Sequence, residues 1–286
     1  TSASAIERLA AAARRVGEGD LGARVGPLDG DLELAMLART LDTTLDRLCS
    51  SLARQRELEG RRRDLITAVS HDLRTPLASL RAMVEAVDDG VVEDLPSLRR
   101  YAAEMRRDVD SLVALVDDLF ELAQLEAGAI EAETERVRLG EVVRSAVAAC
   151  RLQAREKGLS LEAELGGTVD LPCSPRLSRV LQNLLANAIR HTPSDGTVRI
   201  EASRGPGGLE LVVVDTGEGI PPEDLERVFE PFWRGDPSRS GGGAGLGLAL
   251  AKRIVEALGG RIEAASPAHA GGGGHPGSRF AVQLPV

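Results

Sequence analysis

The chain has 286 residues, enough for two or three domains at about 150 residues each. Hydrophobic residues make up 43% and charged residues 28%, the balance of an ordinary globular protein. With 44 acidic against 35 basic side chains the net charge is −9, which excludes the broad positive surface of a generic nucleic-acid-binding protein. Residues 6–16 read as a short amphipathic helix carrying Ile6, Leu9, Ala13 and Val16. It is broken by Gly17-Glu18-Gly19-Asp20 and followed by an extended connector to about Gly30. A second helical stretch starts at Asp31 with Leu34, Leu37, Leu41, Leu45, Leu48 and Leu52. Two short parallel helices bury little alone and are expected to need a partner chain.

A long helix then carries Ile66, Val69, Leu73, Leu77, Leu80, Val84 and Val87, ended by Asp88-Asp89-Gly90. After Pro96 a further helix carries Leu98, Ala102, Met105, Val109, Leu112, Val116, Leu119 and Ala123, with Leu115 and Leu122 widening the stripe. Such heptad-like spacing on a hairpin leaves an apolar face for a second copy, and a homodimeric four-helix bundle follows. From Gly128 strands (198–202, 209–214, 279–284) alternate with helices (139–157, 174–191, 246–258), and glycine concentrates at 215–219, 241–247 and 271–277. That is a separate α/β domain with glycine-rich loops where a ligand approaches. Aromatics are only 2%, so cores here rest on Leu, Val, Ile and Ala. Cys49, Cys150 and Cys173 are far apart and in no ligand spacing, which fits reduced thiols rather than a disulfide framework or zinc site. No run of about 18 apolar residues is present.

His71 lies two residues from both Val69 and Leu73, about 200° around the helix from each, so it points away from the apolar seam. An exposed imidazole is largely neutral near neutral pH and offers a ring nitrogen as nucleophile. Thr75 shares its face at i+4 and Arg74 lies at i+3, placed to stabilise added negative charge. Asp72 is adjacent and reaches the ring only through a suitable rotamer. Pro76 removes a backbone hydrogen bond and predicts a kink one turn on.

In the α/β domain Asn183 and Asn187 share a helix face at i, i+4, and amide oxygens suit a hard cation such as Mg²⁺. Asp215, at the end of an apolar strand, is followed by Gly217 and Gly219; a buried carboxylate accepts hydrogen bonds from an exocyclic amine. Gly241 to Gly247 open a helix whose free N–H groups and dipole favour phosphates. Residues 220–244, with Phe229, Phe232 and Trp233, have the composition of a lid. A Rossmann reading fails because no strand immediately precedes the glycines, and no Gly-Lys-Ser/Thr follows for a Walker loop.

In order and spacing these segments resemble the bacterial two-component sensor histidine kinases. Ser70–Leu80 resembles the H-box, Asn183–His191 the N-box, Asp215–Gly219 the G1 box, Phe229–Arg234 the F-box and Gly243–Gly247 the G2 box. Residues 1–50 more weakly resemble a HAMP linker. His191 stands where Tyr is frequent, Ser278 where Thr often sits, and Ala5 replaces the usual HAMP proline. The resemblance implies a dimeric four-helix bundle of helical hairpins plus an α/β sandwich ATP-binding domain of the histidine kinase type. The implied domains are 1–52 (linker), 53–130 (dimerisation and phosphotransfer) and 131–286 (catalytic).

By the same resemblance His71 is the phosphoacceptor, Asp72 the base holding its Nδ1 proton, and Thr75 the residue that positions water for dephosphorylation of the partner. Asn187 would ligate Mg²⁺ with support from Asn183; Arg190 and Arg234 would contact the phosphates of ATP and Asp215 would read the adenine amine. His191 belongs to the nucleotide-binding set, and Gly217, Gly219, Gly243, Gly245 and Gly247 would give the nucleotide and lid backbone room. The implied partners are a second copy and a cognate response regulator, with no nucleic acid. Membrane contact would come only through segments absent from this sequence, which begins at Thr1 and is expected to be the cytoplasmic portion of a membrane protein. Two alternatives stay open: an ATPase or serine kinase sharing the N and G boxes, which leaves His71–Pro76 without a purpose, and a scaffold with a degenerate site, against which Asn187, Asp215 and the glycine loops speak.

Overall fold

The computed structural model describes residues 2–28, 32–92, 94–126, 135–205, 207–235, 245–268 and 275–285. They fall into two compact units, Thr1–Thr67 and Ala68–Val286. In the first, α1 (Ser2–Gly17) and the start of α2 (Leu32–Asp88) flank the connector. Ala12, Val25 and Ala38 form a small buried core ringed by Leu9, Leu28 and Leu41. Alanines let the backbones approach, and polar groups fix the connector: the Asp42 carboxylate accepts N–H bonds from Val25 (2.9 Å) and Gly26 (3.0 Å). Arg8 donates to the Val25 carbonyl (2.5 Å), and Arg24 to Asp46 (2.6 Å). Ile6, Met36, Leu37 and Leu48 stay exposed, in keeping with the expected need for a partner chain.

The sequence reads as two helices between residues 31 and 88, but α2 is a single helix of 57 residues that runs through Pro76 without interruption. Residues 53–65 lack proline and are rich in Arg, Glu and Leu, strong helix formers that bridge the polar gap between the two apolar patterns.

In the second unit α2 ends at a Schellman turn: Gly90 takes φ 68°, its N–H bonds the Val87 carbonyl at 3.2 Å, and that of Val91 bonds Ala86 at 3.0 Å. Helix α3 (Leu95–Glu126) starts one residue before Pro96 rather than after it. Asp94 caps it by accepting the Ser97 N–H at 2.8 Å, and a proline in the first turn forfeits no helical bond. That hydrogen bond holds the Asp94 carboxyl below its ordinary pKa. On α3 the expected apolar stripe keeps one face exposed while its flank is buried. Leu115 and Leu122, read as flanks, are buried, whereas Val109, Val113, Val116 and Phe120 form an exposed apolar row.

The remaining elements are β1 (Val137–Arg138), α4 (Leu139–Glu156), β2 (Ser160–Glu164), β3 (Pro172–Cys173), α5 (Leu177–His191), β4 (Thr197–Gly205), β5 (Gly208–Asp215), α6 (Gly247–Ala257), β6 (Arg261–Ala265) and β7 (Ser278–Leu284). Strands β1 and β3 pair antiparallel. The main sheet runs β2-β4-β5-β7-β6, with β2 and β4 parallel and the other pairs antiparallel. Residues from α4, α5 and α6 pack with Ile200, Leu211, Val213, Phe280 and Val282 in one apolar core, giving a two-layer α/β sandwich. Full burial of Leu177, Leu181, Leu184 and Leu185 contributes about 1.5–3 kcal/mol each and fixes which face α5 turns outward. Strand β5 is buried on its other face too, where Val212 and Val214 meet Ala281 and Ala268.

Candidate functional site

His71 is exposed on α2, its side chain 78% accessible, while the Asp72 side chain is 17% accessible. Neighbours at i, i+1 do not ordinarily face each other. Here the rotamers bring His71 Nδ1 and Asp72 Oδ1 to 3.3 Å. That is a long contact, but it leaves Nε2 as the outward nitrogen. The Thr75 hydroxyl turns back to the His71 carbonyl at 3.4 Å. Pro76 has no N–H to offer the Asp72 carbonyl, so the backbone is weakened directly beneath this group.

The second group is built on the outward face of α5. Asn183 and Asn187 are half-buried one turn apart, and Arg190 and His191 occupy the last turn. The buried Asn183 Nδ2 has no hydrogen-bond partner among the described residues. The guanidinium of Arg190 has its pKa lowered by desolvation and then by the like charge of Arg234. Arg190 thus carries a desolvated positive charge within reach of that of Arg234, one and two turns along α5 from the asparagines, an arrangement suited to an anionic ligand.

Asp215 ends β5 at 2% accessibility, and its Oδ1 accepts the N–H of Gly217 (2.8 Å) and of Ser278 (3.2 Å). Burial pushes its carboxyl up, against the lowering effect of those two hydrogen bonds. The loop after it is pinned by the protein itself. A Cβ on Gly217 would lie 2.5 Å from the His191 carbonyl oxygen, and one on Gly219 would lie 2.7 Å from Pro276 Cγ and Ser266 Oγ. These glycines therefore serve close packing of the chain on itself, beyond the nucleotide room expected of them. His191 Nδ1 meets Glu218 Oε1 at 2.9 Å, tying the end of α5 to the same loop.

Gly247 begins α6, and a Cβ there would come 3.4 Å from Asn183 Oδ1, so the free N–H end of α6 lies beside the asparagine face. Gly245 has φ 67° and abuts the backbone of Phe232 and Trp233; its carbonyl accepts the Phe232 N–H at 3.0 Å. Phe232 is itself held at φ 62°. Arg234 follows directly, and Asp224, Arg227 and Phe232 to Gly235 line an open cavity of about 440 Å³. Gly243, with residues 236–242 and 244 of the expected lid, lies outside the described residues.

Thus α5, the Asp215 loop and the α6 N-terminus converge, while His71, Asp72 and Thr75 form a separate group; no hydrogen bond joins the two among the described residues. Three contributors were given no part in the site by the sequence. The Ser278 N–H reaches Asp215 only through β-pairing, Glu218 sits between two motif glycines, and Lys157, the last residue read into α4, sends its ammonium to α5. A basic side chain just before a helix-ending glycine was the available signal for the last.

Three family models match the chain. They are the HAMP domain at residues 1–50, the His Kinase A (phospho-acceptor) domain at 61–128, and the Histidine kinase-, DNA gyrase B-, and HSP90-like ATPase at 173–286. The chain is similar to the signal transduction histidine-protein kinase BaeS of Escherichia coli (strain K12), with 35% identity over 263 residues, 91% of this chain and 54% of BaeS. It is similar to the signal transduction histidine-protein kinase/phosphatase MprB of Mycolicibacterium paratuberculosis, with 35% identity over 288 residues, 98% of this chain and 52% of MprB. Among solved structures, the Acinetobacter baumannii histidine kinase AdeS matches with TM-score 0.61 and 27% identity, over 75% of this chain and 97% of that one. The chain spans about half the length of the curated relatives it matches.

Proposed function

Because this chain belongs to the two-component sensor histidine kinases, we propose that it phosphorylates His71 from ATP and passes the phosphoryl group to an aspartate of a response regulator. The observation that carries this reading is the exposed imidazole whose Nδ1 is taken by Asp72. The Nε2 lone pair attacks the γ-phosphorus, the bond to the leaving ADP oxygen breaks, and Asp72 holds the Nδ1 proton and the positive charge that develops on the ring. Phosphoryl transfer has a loose transition state, so the protein contributes chiefly positioning and charge. Arg190 and Arg234 supply positive charge, the α6 N-terminus supplies N–H groups, and Asp215 accepts from the adenine amine.

The amide-oxygen face of Asn183 and Asn187 fits a hard divalent cation, and the buried Asn183 Nδ2 fits a further polar ligand atom. Asn187 would hold Mg²⁺, with Asn183 supporting it; when bound, the ion neutralises phosphate charge. Thr75, on the face of His71, would orient water for dephosphorylation of the response regulator. The boundaries 1–52, 53–130 and 131–286 are proposed as linker, phosphotransfer hairpin and catalytic domain. The exposed row Val109, Val113, Val116 and Phe120 fits a second copy, completing a four-helix bundle. Among the described residues no helix is long and apolar enough to cross a membrane. An ATP-dependent kinase acts on the cytoplasmic side, where this portion is proposed to sit. Incubation with γ-labelled ATP and Mg²⁺ is expected to give a phosphoprotein that is labile in acid and stable in alkali. Acid-stable label, or none, contradicts the reading.

A further inference from the structure

Helix α5 carries the residues proposed to face the nucleotide phosphates, so what fixes its C-terminal turn fixes their positions. The last four carbonyls of a helix have no partner within it. In α5 all four are met, the first by the capping residue and the other three from elsewhere in the chain. Ala188 accepts from the Thr192 N–H (3.0 Å) and hydroxyl (2.7 Å), and the His191 carbonyl accepts the Glu218 N–H (3.4 Å). The Ile189 and Arg190 carbonyls both accept from one side chain, the Lys157 ammonium, at 2.8 and 2.6 Å. Lys157 is itself firmly placed. It caps α4, Gly158 follows at φ 74° with the Leu159 N–H on the Ala154 carbonyl (2.8 Å), and the Asp195 N–H bonds the Gly158 carbonyl (3.3 Å).

We infer that Lys157 is a positioning residue for the phosphate contacts. Its ammonium closes the last turn of α5, holds Arg190 beside Arg234, and keeps the His191 carbonyl seated under Gly217. This rests on the reading that α5 faces the phosphates of ATP. A purely structural cap is a poor account of the site. The ammonium stands near Arg190, a like charge, and burial together with that charge lowers the pKa of Lys157 against the attraction of Glu218. Lys157 and Arg190 thus place two like charges at the negative end of one helix dipole, with Arg234 close enough to Arg190 to repel it, a setting suited to an anion. The coupling to the adenine side is equally direct, because a Cβ on Gly217 would strike the His191 carbonyl and Gly217 donates to Asp215. Fraying of that turn would disturb both ends of the nucleotide.

The test uses the full chain with Mg²⁺ and a non-hydrolysable ATP analogue, measuring affinity by calorimetry and folding by thermal unfolding. Losing a charged double hydrogen bond on the positioning turn is expected to weaken analogue binding on the order of tenfold in Lys157→Met. Lys157→Arg, which keeps charge and donors, is expected to recover most of that loss and to unfold close to wild type, with Lys157→Met less stable but still folded at the assay temperature. Lys157→Gln, a milder change able to serve one carbonyl, is expected to fall between them and stands in should the methionine variant fail to fold. Unchanged affinity in Lys157→Met or Lys157→Gln, or an equal loss in Lys157→Arg and Lys157→Met, overturns the inference while leaving the ATP reading intact. A wild-type chain that binds no analogue overturns the ATP reading, and this inference with it.

Discussion

Replacing Asp215 separates the stability of the catalytic domain from its chemistry. Its Oδ1 serves two backbone donors, Gly217 and Ser278, at a position 2% accessible. Asp215→Ala leaves both N–H groups buried without an acceptor, each costing about 1–3 kcal/mol, so a loss of about 2–6 kcal/mol is expected. In a domain of about 150 residues that lowers the unfolding temperature by roughly 5–20 °C. Asp215→Asn keeps the acceptor oxygen and removes a charge whose burial is unfavourable, so it is expected to be at least as stable as wild type at neutral pH. The pH dependence has a definite sign. Burial raises the folded-state pKa of Asp215 above the unfolded value near 3.8, so the folded state holds the proton more tightly. The stability linked to that proton is fully present below the unfolded pKa and is lost as pH rises through the folded one. The advantage of Asp215→Asn over wild type should therefore be smallest below the unfolded pKa and grow as pH rises through the folded one. Thermal unfolding across that range measures it, and with Mg²⁺ and an ATP analogue wild type alone should gain a large upward shift. A less stable asparagine variant with a pH-independent gap refutes the desolvation reasoning.

Arg179 of α5 reaches Asp118 and Glu121 of α3 (3.4 Å to the latter), with all three side chains partly buried. Removing the cation with Arg179→Met should cost about 1–3 kcal/mol in urea unfolding, between the values for exposed and buried pairs. Burial raises the Asp118 pKa despite the nearby Arg179 charge, so the Arg179–Asp118 coupling in a double-mutant cycle should shrink as acid neutralises the carboxyl; zero coupling at neutral pH contradicts this. Gly245→Ala places a Cβ 2.8 Å from the Trp233 carbonyl oxygen at φ 67°, and should weaken nucleotide binding by about tenfold or more with the domain still folded. Calorimetry showing wild-type affinity would count against the Phe232–Gly245 contact as part of the site.

The helices were legible because their apolar positions recur every three or four residues, and β5 because Leu211 to Val214 is buried on both faces. The short edge strands escaped. Ser160–Glu164 and Arg261–Ala265 carry few β-branched residues and owe their extended state to pairing with β4 and β7. Continuity of α2 was hidden because a polar run such as residues 53–65 has no apolar period, although its propensity is high. On α3 the spacing gave the period and the exposed apolar face, but not that the flanking Leu115 and Leu122 would be the buried positions. Asn183, Asn187, Asp215 and the glycines were visible as local patterns. Lys157 carried only the weak signal of a basic residue before Gly158, since the carbonyls it serves lie 32 and 33 residues away and backbone acceptors mark no residue type.

The most direct measurement compares wild type with His71→Gln after incubation with γ-labelled ATP and Mg²⁺, with nucleotide binding checked in both. Expected is acid-labile label on wild type and none on the variant, with equal nucleotide affinity. Equal label on both proteins, or no label on a wild-type chain that binds the nucleotide, contradicts phosphorylation of His71.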